Sequence, residues 1–441
     1  MEYAPSTQKS YLHRMAPELI CAILCSVEGL DGLLCAILSC HLFYSVFSRT
    51  PSAIIHQVFF NELNTHHVRR EAIATLYASK LALVNPTISI IRVFFQDHFQ
   101  QRKEFDTQLT IEEAAGASRL HAVVSSLAED FSKTTFPELA AACGHASDTL
   151  ELLASEKARI MRALYMAETF FNLFRTTSSN ITEAVQRQCM NEFLVHFAPL
   201  EIEQLACIHD FLFRKVSPVF NDVAAHDVLW GEFQVEPALW LGSPELQFFL
   251  FKGLGAIRRI AAAKTYAEQQ KLFNGIPGTR HLNLHRALKD FSYKESTTED
   301  DSIPSFATSE DYDQGPFLIW KRAQKLGTLT NRAMLRSLGY VMWNQERLDN
   351  LGILQEQEWQ LQRLVRDSLP NDSPVHEVTD ERWLASWRER SRIHEQGGTG
   401  WWDFDDESQV VWPERKRRST TDNTPTSLDE AKRAILALKR V

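Results

Sequence analysis

The chain has 441 residues, of which 44% are hydrophobic and 23% are charged, a composition typical of folded proteins. Its 47 basic and 56 acidic side chains give a net charge of −9, which argues against sequence-independent binding to nucleic acid, because that binding depends on neutralising phosphates. Seven cysteines and a polar N-terminus without a secretory pattern predict reduced thiols and a location in the cytoplasm, the nucleus or both.

The most apolar stretch of the chain is residues 19–40, LICAILCSVEGLDGLLCAILSC. A membrane span would need about 20 uninterrupted apolar residues, but Glu28 and Asp31 lie at the centre of this stretch. Apolar residues recur at helical spacing on both sides of the acidic turn, and again in residues 42–47. We therefore predict three short amphipathic helices and no membrane span. Three such helices cannot bury all their apolar surface among themselves, so part of it must contact the rest of the chain or another protein.

Four cysteines in this stretch raise the question of a zinc site. Cys21 and Cys25 have a spacing that some zinc sites use. The same spacing also places both on one face of a helix, where a free cysteine behaves as a small hydrophobic residue. Cys35 and Cys40 are five residues apart and fit one helical face poorly. We therefore predict that these cysteines pack and do not bind zinc.

Helix signals continue through a predicted helical body, residues 50–291. Thr50 followed by Pro51 is typical of an N-cap and a first-turn proline. Thr110 and Glu113 have the spacing of a capping box. Alternating strand patterns are nearly absent, and no repeat of fixed period is visible. The sequence therefore predicts an all-α protein in which an irregular multi-helix array follows the three short helices.

The C-terminal part combines polar and ordered segments. Residues 292–315 hold seven acidic side chains and one lysine, which predicts a disordered loop because such a segment buries little apolar surface. A helical segment is expected over residues 316–395 and a flexible tail over 396–427. The basic cluster Arg415-Lys416-Arg417-Arg418 in that tail is either a nuclear import signal or a chance match. Residues 428–440 begin with a capping box and predict a short amphipathic helix.

The N-terminal residues resemble an F-box. Met15-Ala16-Pro17-Glu18-Leu19 is similar to its L-P-x-E-L opening, with Met15 and Ala16 in place of the usual Leu and Pro. The pairs Ile23-Leu24 and Leu33-Leu34 resemble its helix pattern, and the segment from Cys40 to Tyr44 resembles its closing C-x-x-aromatic motif. Over roughly residues 15–350 the chain is also similar to a large fungal family of F-box-like proteins. The segments that carry this likeness are SRLH (118–121), RALYMAETFFNLFR (162–175), IEQLACIHDFLFRK (202–215), DQGPFLIWKRA (313–323) and LRSLGYVMWNQERLD (335–349).

The resemblance implies a partner and a mechanism. An F-box-like domain over residues 13–49 would dock on the Skp adaptor of a cullin–RING ubiquitin ligase, and the helical body would present a protein client. The residues assigned to adaptor binding are Met15, Pro17, Glu18, Leu19, Ile20, Ile23, Leu24, Leu33, Leu34, Ile37, Leu38 and Phe43. Two alternatives stay open: an F-box-like scaffold that ubiquitinates no client, and an α-helical enzyme with an unrecognised pocket.

Candidate client-binding residues come from the aromatic side chains that follow the acidic segment. Trp320, Tyr340 and Trp343 lie close together in the sequence, and Trp and Tyr dominate the hot spots of protein interfaces. The competing interpretation is core packing, which is the commoner role of such residues at helical spacing.

Motifs for chemistry are not visible in the sequence. It contains no nucleophile elbow, P-loop, dinucleotide fingerprint or zinc-protease motif. His281 and His285 are four residues apart and could share a metal on a helix, but surface or packing histidines are far commoner. We therefore predict no catalytic residue, no metal and no cofactor, and expect neither nucleic acid nor a membrane as a partner.

Overall fold

The computed structural model describes residues 11–65, 67–100, 109–145, 151–175, 182–295, 313–324, 329–354, 380–404 and 406–413. Nineteen α-helices and one two-stranded sheet lie within these ranges, which confirms the all-α prediction. The chain divides into two units, a large one within residues 1–224 and 235–379 and a small one within 225–234 and 380–441.

The large unit begins with a 3-10 turn, Tyr11–Arg14, and three short helices: α1 (Pro17–Cys25), α2 (Gly29–Ser39) and α3 (His41–Phe47). α3 packs against both α1 and α2. Pro17 starts α1, where its missing N–H costs no hydrogen bond. Gly29 follows the acidic Glu28 at the start of α2 with a φ of +69°, a conformation that glycine adopts without strain. The three short helices predicted in this stretch are therefore present.

Twelve further helices follow in chain order, and all but one of them belong to the large unit. They are α4 (Pro51–Thr65), α5 (Arg69–Leu83), α6 (Ile88–Phe95) with a π-helical turn (Gln96–Gln100), α7 (Ile111–Ala142), α8 (Ala154–Phe174), α9 (Glu183–Val195), α10 (Pro199–His226), α11 (Val228–Glu232, in the small unit), α12 (Pro244–Leu250), α13 (Leu254–Ala262), α14 (Tyr266–Phe273) and α15 (Leu284–Glu295). The predicted capping box is present at α7, where the Thr110 side chain accepts from the Glu113 N–H at 3.2 Å and Glu113 accepts from the Thr110 N–H at 3.0 Å.

The core of the large unit is built around α8. Between Ala158 and Phe174, every side chain of this helix except Arg162 is buried. α8 packs against α5 and α7. Its Phe170 lies 5.4 Å from Phe193 of α9 and 5.9 Å from Phe251, measured between ring centroids. Aromatic packing of this kind joins helices that are far apart in the sequence.

The predicted disordered loop, residues 292–315, is wrong at both of its ends. α15 continues to Glu295, and α16 (Gly315–Gln324) begins at the other end. Asp313 is not solvated: its Oδ2 lies 2.9 Å from Nη2 of Arg159, and both side chains are nearly buried. Its Oδ1 also accepts from the backbone N–H groups of Gly315 and Gln345. A prediction of disorder from the number of acidic residues assumes that each is solvated. It cannot identify an acid that forms an ion pair with a buried arginine. Residues 296–312 lie outside the described residues.

Two further helices of the large unit follow, α17 (Leu329–Ser337) and α18 (Gln345–Asn350), within the segment predicted to be helical. Among the described residues, no helix has the length and apolarity that crossing a bilayer requires.

The small unit consists of α11, α19 (Asp380–Glu395) and the antiparallel strands β1 (Thr399–Gly400) and β2 (Val410–Val411). Its core contains Val228, Ile393, Trp402 and Val410. The prediction of a flexible tail from residue 396 is therefore wrong as far as residue 413. The glycines in this segment provide turn geometry, since Gly397 and Gly400 have φ values of +83° and +100°. The rest of the predicted tail, including Arg415-Lys416-Arg417-Arg418, and the predicted helix over 428–440 lie outside the described residues.

Candidate functional site

The N-terminal module, residues 15–47, separates its apolar side chains into two rows. On α1, Ile20 and Leu24 are fully buried, whereas Leu19 and Ile23 are 55% and 38% exposed. Members of each pair are four residues apart and therefore lie on the same face of the helix. α1 thus turns one apolar row inward and leaves a second in solvent.

α2 repeats this arrangement. Leu33 is buried, whereas its neighbour Leu34 is 52% exposed and Leu38 is 76% exposed. Leu34 and Leu38 are again four residues apart, so they share a face that the described part of the chain leaves exposed. Exposed pairs of large apolar residues on two neighbouring short helices are typical of a surface that binds a partner.

The buried rows attach the module to α4. This helix packs against both α1 and α2 and buries Ile54, Ile55 and Val58. The Asn61 side chain of α4 donates from Nδ2 to the carbonyl oxygen of Cys25 at 2.9 Å, satisfying one of the carbonyls that a helix end leaves without a partner. The module is therefore held by its inner face, and its exposed pairs do not contribute to that attachment.

An unusual acid lies beneath the module. Burial raises the pKa of Glu62 on α4, and the nearby negative charge of Asp31 raises it further, while the hydrogen bond from Ser118 lowers it. That bond is 3.3 Å long. Burial without a cation favours the protonated carboxyl.

The module's four cysteines are free thiols that differ in exposure. Cys21, Cys25 and Cys40 are half-buried free thiols, and Cys35 is exposed. Burial, and then the neighbouring Cys21, raises the pKa of Cys25, which keeps this thiol protonated. Within the described ranges, the group of three or more potential metal ligands that the structure brings together contains none of these cysteines.

The structure distributes the residues assigned to adaptor binding over three environments. Exposed are Pro17, Glu18, Leu19, Ile23, Leu34 and Leu38, and half-buried are Met15, Ile37 and Phe43. Ile20, Leu24 and Leu33 are buried in the fold, so their assignment to a partner surface is corrected. The sequence shows two apolar rows on each helix but not which row α4 covers. Tyr44, which the sequence analysis did not select, is 54% exposed.

Two of the three candidate client-binding residues belong to the core. Tyr340 and Trp343 are buried. The Tyr340 hydroxyl donates to Glu203 at 3.1 Å and Trp343 Nε1 donates to the Leu338 carbonyl at 3.2 Å. Their assignment as a client surface is therefore corrected in favour of core packing. Trp320 is half-buried on α16, 5.9 Å from Phe317 between ring centroids, and stays a candidate.

Comparison with known proteins finds no family model that matches this chain, and no curated protein or solved structure matches it.

A second cluster was missed by the sequence analysis. His209 and Asp210 of α10 lie beside His285 of α15, whereas His281, which the sequence pairs with His285, is exposed. Residues 209 and 285 are too far apart in the chain for any local spacing to connect them. The only signal was the adjacent His209-Asp210 on a helix whose other residues are largely apolar.

Proposed function

We propose that this protein is the substrate-recognition subunit of a Skp–cullin–F-box ubiquitin ligase. The observation that carries the proposal is the exposed apolar row on each of the first two helices, Leu19 with Ile23 and Leu34 with Leu38. Burying a side chain of this size completely is worth about 1.5–3 kcal/mol. Four half-covered side chains therefore leave several kcal/mol available to a partner that covers them.

The Skp adaptor is the partner that fits the sequence likeness. The opening Met15-Ala16-Pro17-Glu18-Leu19 resembles that of an F-box, and Leu19 is also the first exposed apolar residue of α1. Short apolar helices seated in a partner's groove are a common mode of recognition. Attachment of the module through its other face to α4 supports docking without rearrangement of the body.

The proposed mechanism is proximity, with no bond made or broken by this chain. A receptor that holds a client beside the ubiquitin-charged enzyme raises the effective concentration of the client's lysines. Trp320 on α16 is our remaining candidate for client contact, whereas Tyr340 and Trp343 support the fold. The proposal places the protein in the cytoplasm, the nucleus or both.

The test is reconstitution with purified components. The full chain is mixed with a Skp adaptor, and the complex is measured by size-exclusion chromatography with light scattering. We expect a 1:1 complex; a chain that elutes alone at micromolar concentrations of both proteins contradicts the proposal.

Ubiquitin transfer separates the receptor from a scaffold. Proteins that co-purify with the chain are offered to the assembled ligase with ubiquitin, its activating enzyme and a conjugating enzyme. Modification of a co-purified protein that depends on this chain supports a receptor. Adaptor binding without any such transfer favours the F-box-like scaffold instead.

A further inference from the structure

Two helices of the large unit bring three metal-ligating side chains together. His209 and Asp210 are buried on α10, and His285 is half-buried on α15. One ligand atom from each lies within 4.8 Å of the other two. The rings of His209 and His285 are 5.7 Å apart between centroids.

The hydrogen bonds of this cluster leave two buried oxygens without a partner. Nδ1 of His209 lies 3.0 Å from Oδ1 of Asp210, and Nε2 lies 2.8 Å from the amide nitrogen of Gln247. That nitrogen also donates to the Leu241 carbonyl at 2.7 Å. An amide nitrogen can only donate, so Nε2 accepts and the His209 proton is on Nδ1. Oδ2 of Asp210 and Oε1 of Gln247 have no hydrogen-bond partner among the described residues, which is costly for buried polar atoms.

We propose that His209, Asp210 and His285 bind a divalent transition-metal ion of the zinc class. Imidazole nitrogen and carboxylate oxygen are ligands that zinc and its neighbours prefer. At bond lengths of about 2.0–2.2 Å and tetrahedral angles, two ligand atoms of one ion lie about 3.3–3.6 Å apart. Nδ1 of His209 and Oδ1 of Asp210, now hydrogen-bonded at 3.0 Å, need to separate by only a few tenths of an ångström to reach that distance.

His285 is placed to act as the third ligand, because its ligand nitrogen lies within 4.8 Å of the ligand atoms of His209 and Asp210. Arg336 lies nearby, but its Nε and Nη2 donate their hydrogen bonds to Glu203, at 2.7 and 2.8 Å, and not to Asp210.

Binding of the ion requires one change of tautomer. The His209 proton moves from Nδ1 to Nε2, and the Gln247 amide turns so that Oε1 accepts it, giving up its bond to Leu241. Metal-bound histidines commonly hold such an oxygen on their second nitrogen. After this change, the Gln247 oxygen accepts a hydrogen bond from His209, and the metal ion neutralises the Asp210 carboxylate. Since the ligands come from α10 and α15, the ion would also cross-link these helices. This proposal does not depend on the proposed ligase function.

The test is zinc binding by the full chain after removal of metal with a chelator. We expect one zinc ion per chain in competition with a chromophoric chelator. His285→Ala and Asp210→Asn should each weaken zinc binding by more than about 100-fold, the upper limit usual for the loss of an outer-shell partner. The matched control is His281→Ala, which removes an exposed histidine four residues earlier in the chain and should leave zinc binding unchanged. Substitution with cobalt should give a spectrum without a thiolate charge-transfer band.

Three results would overturn the proposal. They are no zinc binding by the folded chain, loss of binding in His281→Ala equal to that in His285→Ala, and a thiolate band that assigns the metal to cysteines. Circular dichroism checks that each variant is folded. If His285→Ala does not fold, the test uses Asp210→Asn, which preserves the size of the side chain. Zinc must then raise the melting temperature of the unsubstituted chain but not that of Asp210→Asn.

Discussion

Glu203, Arg336 and Tyr340 form a buried group that shows how this protein places charge inside its core. Arg336 donates two hydrogen bonds to the Glu203 carboxylate, at 2.7 and 2.8 Å, and the Tyr340 hydroxyl donates a third at 3.1 Å. The negative charge of Glu203 raises the pKa of Arg336 above its ordinary value, even though burial lowers it. A carboxylate in this position is stable only while the guanidinium is present.

Arg336→Met should therefore lower the free energy of unfolding by about 3–5 kcal/mol, the usual cost of leaving one member of a buried pair alone. The measurement is urea unfolding followed by circular dichroism. The matched control is Arg92→Met, since Arg92 makes the same two-bond contact with Glu192 at 2.8 Å in a far more exposed position. That control should change stability by less than about 1 kcal/mol. Equal effects of the two substitutions would mean that burial does not decide the strength of the pair.

Glu62 should make stability depend on pH in a predictable direction. Its pKa is raised in the folded chain, mainly by burial, so folding favours the protonated form. The stabilising contribution of that protonation is complete at pH values below the unfolded-state pKa, and it is lost as the pH rises through the raised pKa of the folded state. Glu62→Gln, which is neutral at every pH, should raise the melting temperature at pH 7 and reduce the loss of stability between pH 4 and pH 7. An unchanged pH profile would show that the carboxylate is solvated or paired.

At the scale of elements, α2 places neighbouring leucines in opposite environments, and this contrast can be tested directly. Leu33→Ala should cost about 2–5 kcal/mol because it leaves a cavity in a buried site. Leu38→Ala, on the exposed row of the same helix, should change stability by no more than about 0.5 kcal/mol. Thermal unfolding of both variants measures the difference. Similar costs at the two positions would mean that α2 is covered on both faces, which contradicts the docking proposal.

The sequence predicts the elements better than their contacts. Capping signals, such as the Thr110 and Glu113 box, are local and lead to the correct helix starts. Which of two apolar rows on α1 is buried depends on α4, about thirty residues later, and no local pattern contains that information. Asp313 and strand β1 show the same limit. The sequence places Asp313 in a disordered loop and β1 in a flexible tail, but Asp313 pairs with Arg159 and β1 pairs with β2.

The candidate site was predictable in outline only. The apolar excess of residues 19–40 predicts contact with the rest of the chain or with another protein. The structure buries part of this surface, as at Ile20, and leaves part exposed, as at Leu19 and Leu34. The clustering of aromatic residues led to a wrong prediction of client binding at Tyr340 and Trp343. Protein cores and interface hot spots use the same large aromatic residues, so the sequence does not distinguish them. The cluster at His209 was not predictable, because it depends on the packing of α10 beside α15.

At the scale of the whole molecule, we expect folding to depend on the helical body and adaptor binding to depend on the exposed pairs of the module. The large unit has its own extensive apolar core around α8, and the exposed pairs on α1 and α2 contribute little to it. Substitutions on those pairs should therefore separate binding from folding, which few other positions of the module can do.

The most direct test is the affinity of a purified Skp adaptor for the double variant Leu19→Asp with Leu34→Asp, measured by isothermal titration calorimetry. Burying an unpaired carboxylate against an apolar partner costs several kcal/mol, so binding should weaken at least about 100-fold. Helical circular dichroism should persist, since both side chains are more than half exposed. The matched control is Leu83→Asp with Leu239→Asp, at leucines of the body that are 86% and 50% exposed, which should bind the adaptor normally. Adaptor binding that survives in the first variant, or a first variant that unfolds, would contradict the account.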